Sequence, residues 1–401
     1  MIAAPGNPGI AAIAPCEPLP DPTDGAAIAA IAARHTVELV VIGPEAPLVA
    51  GVADVLRAGG YAVYGPDAAA ARLEGSKSFA KEVMAAAGVP TALAHVCVTA
   101  AELETALDAF GAPHVVKEDG LAAGKGVVVT DDRAVALAHG LECLAKDGGR
   151  VVVEEYLDGP EVSVFCICDG ATVRALAPAQ DFKRVSDGDA GPNTGGMGAY
   201  SPLPWAPPHF GQWVIDHVAQ PVVDEMRRRS TPFVGTLYVG LALTARGPRV
   251  VEFNCRFGDP DGQVALARLV TPLGGLLYAA ATGRLDTMDD LHHRPDSAVL
   301  VVLAAQGYPA APRGGDPIAG LDAPTEPGVT VLHAGTRRHA DGRLVSAGGR
   351  VLDVLAVAPD LTQARDAAYR ALARIDLAGG HHRSDIAAAA ARGDVHIPES
   401  R

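Results

Sequence analysis

Glu252 and Asn254 stand two residues apart within residues 249–263, RVVEFNCRFGDPDGQ. The stretch opens as a β-type apolar run, and residues i and i+2 of a strand point to the same face. A carboxylate and an amide oxygen then sit side by side, a pair of hard oxygen donors suited to Mg²⁺ or Mn²⁺. Arg256 shares their parity if the strand runs that far, and the chain breaks at Gly258-Asp259-Pro260. A divalent cation beside a fixed guanidinium at a strand end is an arrangement for handling phosphate. The same residues also describe a solvated strand end with a capping turn, so the rest of the chain has to supply the phosphate site.

Lysine usage points to where that site lies. Lys and Arg total 33, yet the only lysines are Lys77, Lys81, Lys117, Lys125, Lys146 and Lys183. In a chain that favours Arg so strongly, each Lys is a candidate for reaching a single phosphate oxygen with a compact, mobile ammonium. Lys81 and Lys146 read as ordinary surface lysines. Lys117 precedes, and Lys125 lies within, residues 119–130, DGLAAGKGVVVT. This is not a Walker A loop: Asp119 stands where its first Gly would be, Gly126 where its Ser or Thr would be, and a β run follows instead of a helix. It reads as a hairpin with a flexible glycine loop, whose backbone N–H groups can approach a phosphate closely. The bland alternative is a solvated turn.

Two further segments have chemical potential. Strands over 150–155 and 161–168 are joined by Tyr156-Leu157-Asp158-Gly159-Pro160. Such a connection can turn its backbone groups to a purine edge, with Glu161 beyond it for ribose hydroxyls; taken alone, an ordinary edge hairpin is the simpler description. Residues 180–201, QDFKRVSDGDAGPNTGGMGAYS, are polar, glycine-rich and long. Apolar flanks favour a substrate-binding loop over disorder. Asp181, Lys183 and Arg184 bring charge, Asn193 and Thr194 hydrogen bonds, and Gly195, Gly196 and Gly198 close backbone approach.

The elements that must position these residues follow from period and punctuation. The 401 residues imply two to four domains, and 49% hydrophobic content supplies a core. No apolar run is long enough to span a membrane, and the first residues do not read as a signal peptide. A net charge of -14 argues against nucleic-acid binding. Six scattered cysteines suit reduced thiols in a cytoplasmic chain. Residues 1–74 alternate helix (24–34, 48–58) and strand (37–42, 61–64), which predicts a parallel sheet with Glu45 and Asp67 at strand ends. Met1–Ala4 resembles the tail of a strand, so this domain starts one βα unit late. A helix over 76–87 leads to a small α/β unit. Residues 210–229 read as one helix. From residue 297 an α+β module closes the chain.

Taken together, these stretches carry a resemblance. The chain resembles the glycinamide ribonucleotide synthetase (phosphoribosylamine–glycine ligase) family of ATP-grasp enzymes. The matching stretches are VIGPEAPL (41–48), LEGSKSF (73–79), DGLAAGKGV (119–127), GPNTGGMGAYSP (191–202), VEFNCRFGDP (251–260) and HAGT (333–336), in the family's order across nearly the whole chain. The resemblance implies an N-terminal α/β domain (1–74), an ATP-grasp core (75–296) with a lid at about 91–157, and a C-terminal α+β domain (297–395). It implies joining of glycine to 5-phosphoribosylamine through glycyl phosphate in purine synthesis, with ATP as co-substrate. Glu252 and Asn254 would hold the metal. Lys77, Lys117, Lys125, Glu154, Leu157 and Glu161 would contact ATP. Glu45, Asp181, Lys183, Asn193, Thr194, Gly195, Gly196 and Arg256 would line the glycine and phosphoribosylamine sites, with Lys125 and Arg256 the catalytic cations. A cytoplasmic monomer acting on small molecules, without nucleic acid or membrane, is expected.

There are departures from the family pattern. The usual first strand and its G-G-R-E-H-A loop do not occur at the start. Phe182 replaces a common His, Glu118 stands beside Lys117 where Ala is usual, and Asp261-Gly262 replaces Glu-Thr. Two other functions therefore compete: a nucleotide-binding chain made inactive by loss of the first βα unit, and a different ATP-grasp carboxylate–amine ligase.

Overall fold

The computed structural model describes residues 1–121, 126–322 and 326–399. Near the N-terminus, strands Leu39–Val41 and Ala62–Tyr64 pair in parallel, as the alternation of helix and strand predicts. Asp24 caps helix Gly25–Arg34, its side chain accepting from the Ala27 N–H at 3.0 Å. The helix expected over 48–58 is two, Glu45–Val49 and Val52–Ala58. Gly51 separates them with φ of 83°, a conformation that glycine adopts without strain. The break puts Glu45 in the first turn of its own helix, just past a strand end. Met1–Ala4 forms no strand among the described residues; Ala3 makes a single parallel bridge to Cys16.

Helix Lys77–Ala87 begins at Ser76, whose extended backbone ends the preceding helix and whose hydroxyl accepts from the Phe79 N–H at 3.2 Å. Beyond it lies a four-stranded antiparallel sheet in the order Ala94–Cys97, Val151–Glu154, His114–Glu118, Val127–Thr130. Helices Ala100–Phe110 and Arg133–Leu144 cover one face, and Leu103, Leu107, Val116, Val151 and Val153 form a separate small core there. Strand alternation makes the other face available to a second body: Val115 and Lys117 are buried on it.

That second body is an antiparallel sheet of Gly247–Asn254, Val234–Thr244, Glu161–Asp169 and Val173–Ala175. Its backing helix, expected as one over 210–229, comes in three pieces: Phe210–Val214, a π-helical stretch Ile215–Ala219, and Gln220–Arg228. Pro221 explains the interruption, because its nitrogen cannot donate and its ring crowds the preceding turn.

The third sheet corrects the reading of residues 180–201 as a loop. Gln180–Asp181 and Gly198–Ser201 are strands at the end of a five-stranded antiparallel sheet, followed in order by Ser297–Ala304, Arg350–Ala358 and Val329–His333. Between them Arg184–Ser186 pairs with Ala190–Asn193. The polar segment is therefore built onto the closing α+β module, with Tyr200 fully buried in the joint core.

Candidate active site

The floor of the site is a bulge. In the pairing of Val234–Thr244 with Gly247–Asn254, Tyr238 faces Asn254 and Gly240 faces Glu252, but Leu241 faces Val250. Val251 is the extra residue, and its carbonyl accepts from Lys117 Nζ at 3.0 Å. A Cβ on Gly240 would lie 3.4 Å from Glu252 Cγ, so glycine there leaves room for the carboxylate. Glu252 and Asn254 share a face, as the i, i+2 spacing requires, and both line a cleft of about 1240 Å³. Among the described residues neither side chain makes a hydrogen bond. Lys183 Nζ lies 3.9 Å from Glu252 Oε1.

Arg256 reaches the cleft by a different route from the one its parity suggests. The strand ends at Asn254. The guanidinium is held instead by two distant carboxylates, Glu45 Oε2 at 3.1 Å from Nε and Glu74 Oε1 at 3.4 Å from Nη2. Glu74 also accepts from the Cys255 N–H at 2.7 Å. Burial pushes the Glu74 carboxyl up to about 7, against the pull of Arg256.

The lysines gather around a single acid. Glu154 is buried, with Lys117 Nζ 2.8 Å from one oxygen and Lys81 Nζ 3.0 Å from the other. Lys81 is thus not an ordinary surface lysine; its ammonium also donates to Thr91 Oγ1 and the Ala92 carbonyl, both at 2.9 Å. Glu118 points to the opposite face from Lys117, pairs with exposed Lys146 and does not line the cleft. Lys77 Nζ donates to the Gly120 carbonyl at 3.0 Å. Asp119 accepts from Ser76 Oγ, the Ser78 N–H and Ser78 Oγ, which fixes the glycine loop's first residue to the start of helix Lys77–Ala87. Lys125 lies outside the described residues. Burial holds the Lys77 and Lys81 ammonium groups below the usual lysine range. Burial raises the Glu252 carboxyl, but Lys183, Lys117, Lys77 and Arg256 outweigh it and leave the group below the usual carboxylate range. Four cations, one from a strand, one from a helix and two from the segments just past strand ends, therefore act on one carboxylate.

Residues 156–160 do not form a hairpin. Val151–Glu154 belongs to the first antiparallel sheet and Glu161–Asp169 to the second, so the segment is the connection between two bodies. Leu157 lines the cleft, and Glu161 accepts from Lys183 Nζ at 2.6 Å. On the far side stand Asp181, Asn193, Thr194 and Gly195. Thr194 is an internal strut: its hydroxyl donates to the Lys183 carbonyl at 2.9 Å and accepts from the Gly196 N–H at 3.0 Å. Gly196, at φ of 115°, packs so closely on Pro260 that no side chain fits, and it does not line the cleft.

Two residues of the site, Asp261 and Arg350, escaped sequence reasoning, whereas Asp181 is among those expected. Asp261 is 2% exposed and its Oδ2 has no hydrogen-bond partner; Asp181 Oδ1 is likewise buried without one. Burial pushes both carboxyls up, reinforced at Asp181 by the Asp261 charge. Arg350 bonds the Gly195 carbonyl at 2.7 Å and Asp259 Oδ2 at 3.1 Å, joining the polar segment to the Gly-Asp-Pro turn. Only Asp261 had a local signal, as a departure from the family's Glu; nothing near Arg350 in sequence marks it.

A four-stranded sheet joined by a short connection to a second antiparallel sheet, with Lys117 of the first bonded to the bulge beside a Glu-x-Asn pair on the second, defines an ATP-grasp protein. Family models described as the N domain, the ATP-grasp (A) domain and the C domain of phosphoribosylglycinamide synthetase match residues 1–74, 75–262 and 298–389. The chain belongs to the phosphoribosylglycinamide synthetase family. It is 63% identical to a phosphoribosylamine–glycine ligase of Streptomyces coelicolor over 97% of this chain and 92% of that one. It is 54% identical to that of Mycobacterium leprae over 99% and 94%. The crystal structure of phosphoribosylamine–glycine ligase from Thermotoga maritima is similar at a TM-score of 0.82, with 32% identity, covering 96% of this chain and 93% of that chain. N5-carboxyaminoimidazole ribonucleotide synthetase of the same organism shares the fold at a TM-score of 0.65 and 16% identity, over 94% and 92%.

Proposed function

We propose that this chain is a phosphoribosylamine–glycine ligase. It joins glycine to 5-phosphoribosylamine with cleavage of ATP to ADP and phosphate, in de novo purine synthesis. The observation that carries the reading is the convergence of Lys77, Lys117, Lys183 and Arg256 on Glu252 in one cleft. Support from relatives is their shared printed name at 54–63% identity over nearly the full chain.

In the first step a glycine carboxylate oxygen forms a bond to the γ-phosphorus while the bond to ADP breaks. Both partners are anions, so the barrier is largely charge repulsion and misalignment. Lys117 and Lys77 neutralise the phosphates, and Arg256, braced by Glu45 and Glu74, presents a fixed guanidinium to the reacting oxygens. We infer the same role for Lys125 from its position in the glycine loop. ATP-grasp enzymes use a divalent metal. Glu252 and Asn254 are fitting hard donors whose side chains make no hydrogen bond among the described residues, where no cluster of three or more His, Cys, Asp or Glu could hold one. Two protein ligands suit Mg²⁺, or Mn²⁺, which would complete its shell with phosphate oxygens and water and neutralise charge there. In the second step the amine attacks the acyl carbon and phosphate leaves. Asp181 and Asp261, with orphaned oxygens, are placed to receive ammonium groups on this side. Lid closure excludes water from the acyl phosphate.

We assign Leu157 and Glu161 to the nucleoside end, and Glu45, Lys183, Asn193, Thr194 and Gly195 to the acceptor side, with Gly196 shaping the turn. Glu154 we assign to holding Lys81 and Lys117. Residues 1–74, 75–296 and 297–395 are the proposed domains, with the lid at about 91–157, and residues 180–201 extend the third domain's sheet. No described helix is long and apolar enough to cross a membrane. All six cysteines are free thiols, which suits a cytoplasmic protein; we take it to act as a monomer. A coupled ADP-release assay, omitting glycine and phosphoribosylamine in turn, tests the reading. Release should require glycine; release with another acid, or none with both substrates present, overturns it.

A further inference from the structure

The last described stretch of the chain lies in the cleft. Ala389, Ala390, Asp394, Val395 and His396 line it together with the inter-sheet connection. A series of contacts fixes the path that brings them there. Arg383, 1% exposed, bonds Asp385 and Asp189 at 2.7 Å and the Arg184 carbonyl at 3.2 Å, and lies 4.8 Å over the Phe182 ring. This bolts the root of the tail to the polar segment 184–189. Ile386 and Ala387 are fully buried. Helix Ala388–Arg392 then stops at Gly393, whose φ of 79° reverses the chain, with the Asp394 N–H donating to the Ala389 carbonyl at 2.9 Å. The reversed segment crosses back to the connection between the sheets. There a Cβ on Gly159 would stand 3.2 Å from Pro398 Cδ. Val395 and Ile397 pack on the main core, whereas the His396 side chain stays exposed at the cleft.

We propose that residues 394–398 form the outer wall of the nucleoside end of the cleft, with Val395 and His396 set against the sugar and base of a bound purine nucleotide. The proposal rests on the ligase reading above, and deepens it. An apolar side chain and an imidazole opposite Leu157 supply what a flat heterocycle and a ribose need: dispersion contact on a face and a polar group at the rim. The tail is anchored at both ends, to the acceptor-side segment through Arg383 and to the connection through Pro398, and among the described residues it makes no hydrogen bond or ion pair with Lys77, Lys81, Lys117 or Lys183. It should therefore affect the nucleoside and leave the phosphates alone.

The test uses the full chain and two variants, His396→Ala and Val395→Ala, with inhibition constants measured for ADP and for inorganic tripolyphosphate. Each variant should raise the KM for ATP and the inhibition constant for ADP about fivefold or more, and leave tripolyphosphate inhibition and the KM for glycine within twofold. In the unaltered chain, hydrogen exchange of the amides of residues 394–397 and of Glu399 should slow when ADP binds. Unchanged ADP inhibition in both variants, or equal losses for ADP and tripolyphosphate, overturns the proposal. Tighter ADP binding in the variants also overturns it, because the tail would then be a plug. If the unaltered chain binds ADP but releases none with both substrates, the ligase reading fails and the wall stands; if ADP binds and the tail variants are silent, the reverse holds.

Discussion

The two sides of the cleft solve opposite electrostatic problems. On the lid side every described ammonium is already engaged: Lys117 and Lys81 share Glu154, and Lys77 takes the Gly120 carbonyl. On the side of the five-stranded sheet, Asp181 and Asp261 keep buried oxygens without partners. A buried charge is costly without a partner. On the proposed reading, the lid side therefore holds its cations in place before any phosphate arrives, while the acceptor side leaves acids for a cationic ligand to complete. Preformed cations suit a polyphosphate, which brings more negative charge than one carboxylate can match. Orphaned acids suit an amine or ammonium, whose few protons need defined acceptors.

The largest break in this contrast is expected at the strand between the two sides. Glu252→Gln should lower ADP release on the order of 100-fold or more, because a neutral amide can neither anchor a cation as tightly nor balance four surrounding charges. The melting temperature should fall by no more than a few degrees, since the side chain has no hydrogen bond among the described residues to lose and only its attraction to those cations is removed. Activity within a few-fold of the parent would remove Glu252 from the phosphate site.

Next in size is Glu154→Gln, which strips the lid of the acid that holds two ammonium groups. Breaking such a buried arrangement costs about 3–5 kcal/mol of stability, and the KM for ATP should rise on the order of tenfold or more as Lys81 and Lys117 lose their positions. A rise in the KM for glycine alone would contradict the division of the cleft. Asp261→Asn sharpens the other side. It should raise the KM for one or both of glycine and phosphoribosylamine about tenfold, about 1.4 kcal/mol, with that for ATP within twofold. Kinetics with each substrate varied in turn would decide it.

The contrast was only half legible before the structure. Glu252 and Asn254 follow from strand parity alone, a rule local to three residues. Arg256 belongs at the site for a reason that parity misses: its braces, Glu45 and Glu74, lie in other elements, Glu45 at 211 residues' separation. Lys81 was misjudged because its partner Glu154 is on a different strand, and an ammonium's burial is set by what folds over it. The strands within 180–201 are two to four residues long, too short to show a period, and so read as loop. Pro221 and Gly51, by contrast, were visible breakers within residues read as unbroken helices. Local chemistry is legible; pairing across the cleft depends on topology that no short window contains.

The smallest expected effect concerns an acid on the acceptor side that the reaction does not use. Asp353 sits on Arg350–Ala358, the strand beside Ser297–Ala304, with Oδ1 buried and unpartnered. Burial and the neighbouring Asp259 charge push its carboxyl up to about 7, with Arg350 pulling the other way. A carboxyl raised on folding favours the folded state most when protonated. Its contribution is fully present below about pH 4 and is lost as pH rises through about 7, a change on the order of 3–4 kcal/mol. Asp353→Asn removes that ionisation. Thermal unfolding from pH 5 to 8 should then fall less steeply in the variant, with a gain of a few degrees at pH 8 and kcat within twofold. Asp181 and Asp261 are raised by the same burial but face the cleft, so their asparagine variants should alter substrate KM values, which Asp353→Asn should leave alone. If Asp353→Asn instead weakens glycine or phosphoribosylamine, the acceptor side extends further into the five-stranded sheet than the cleft's lining indicates.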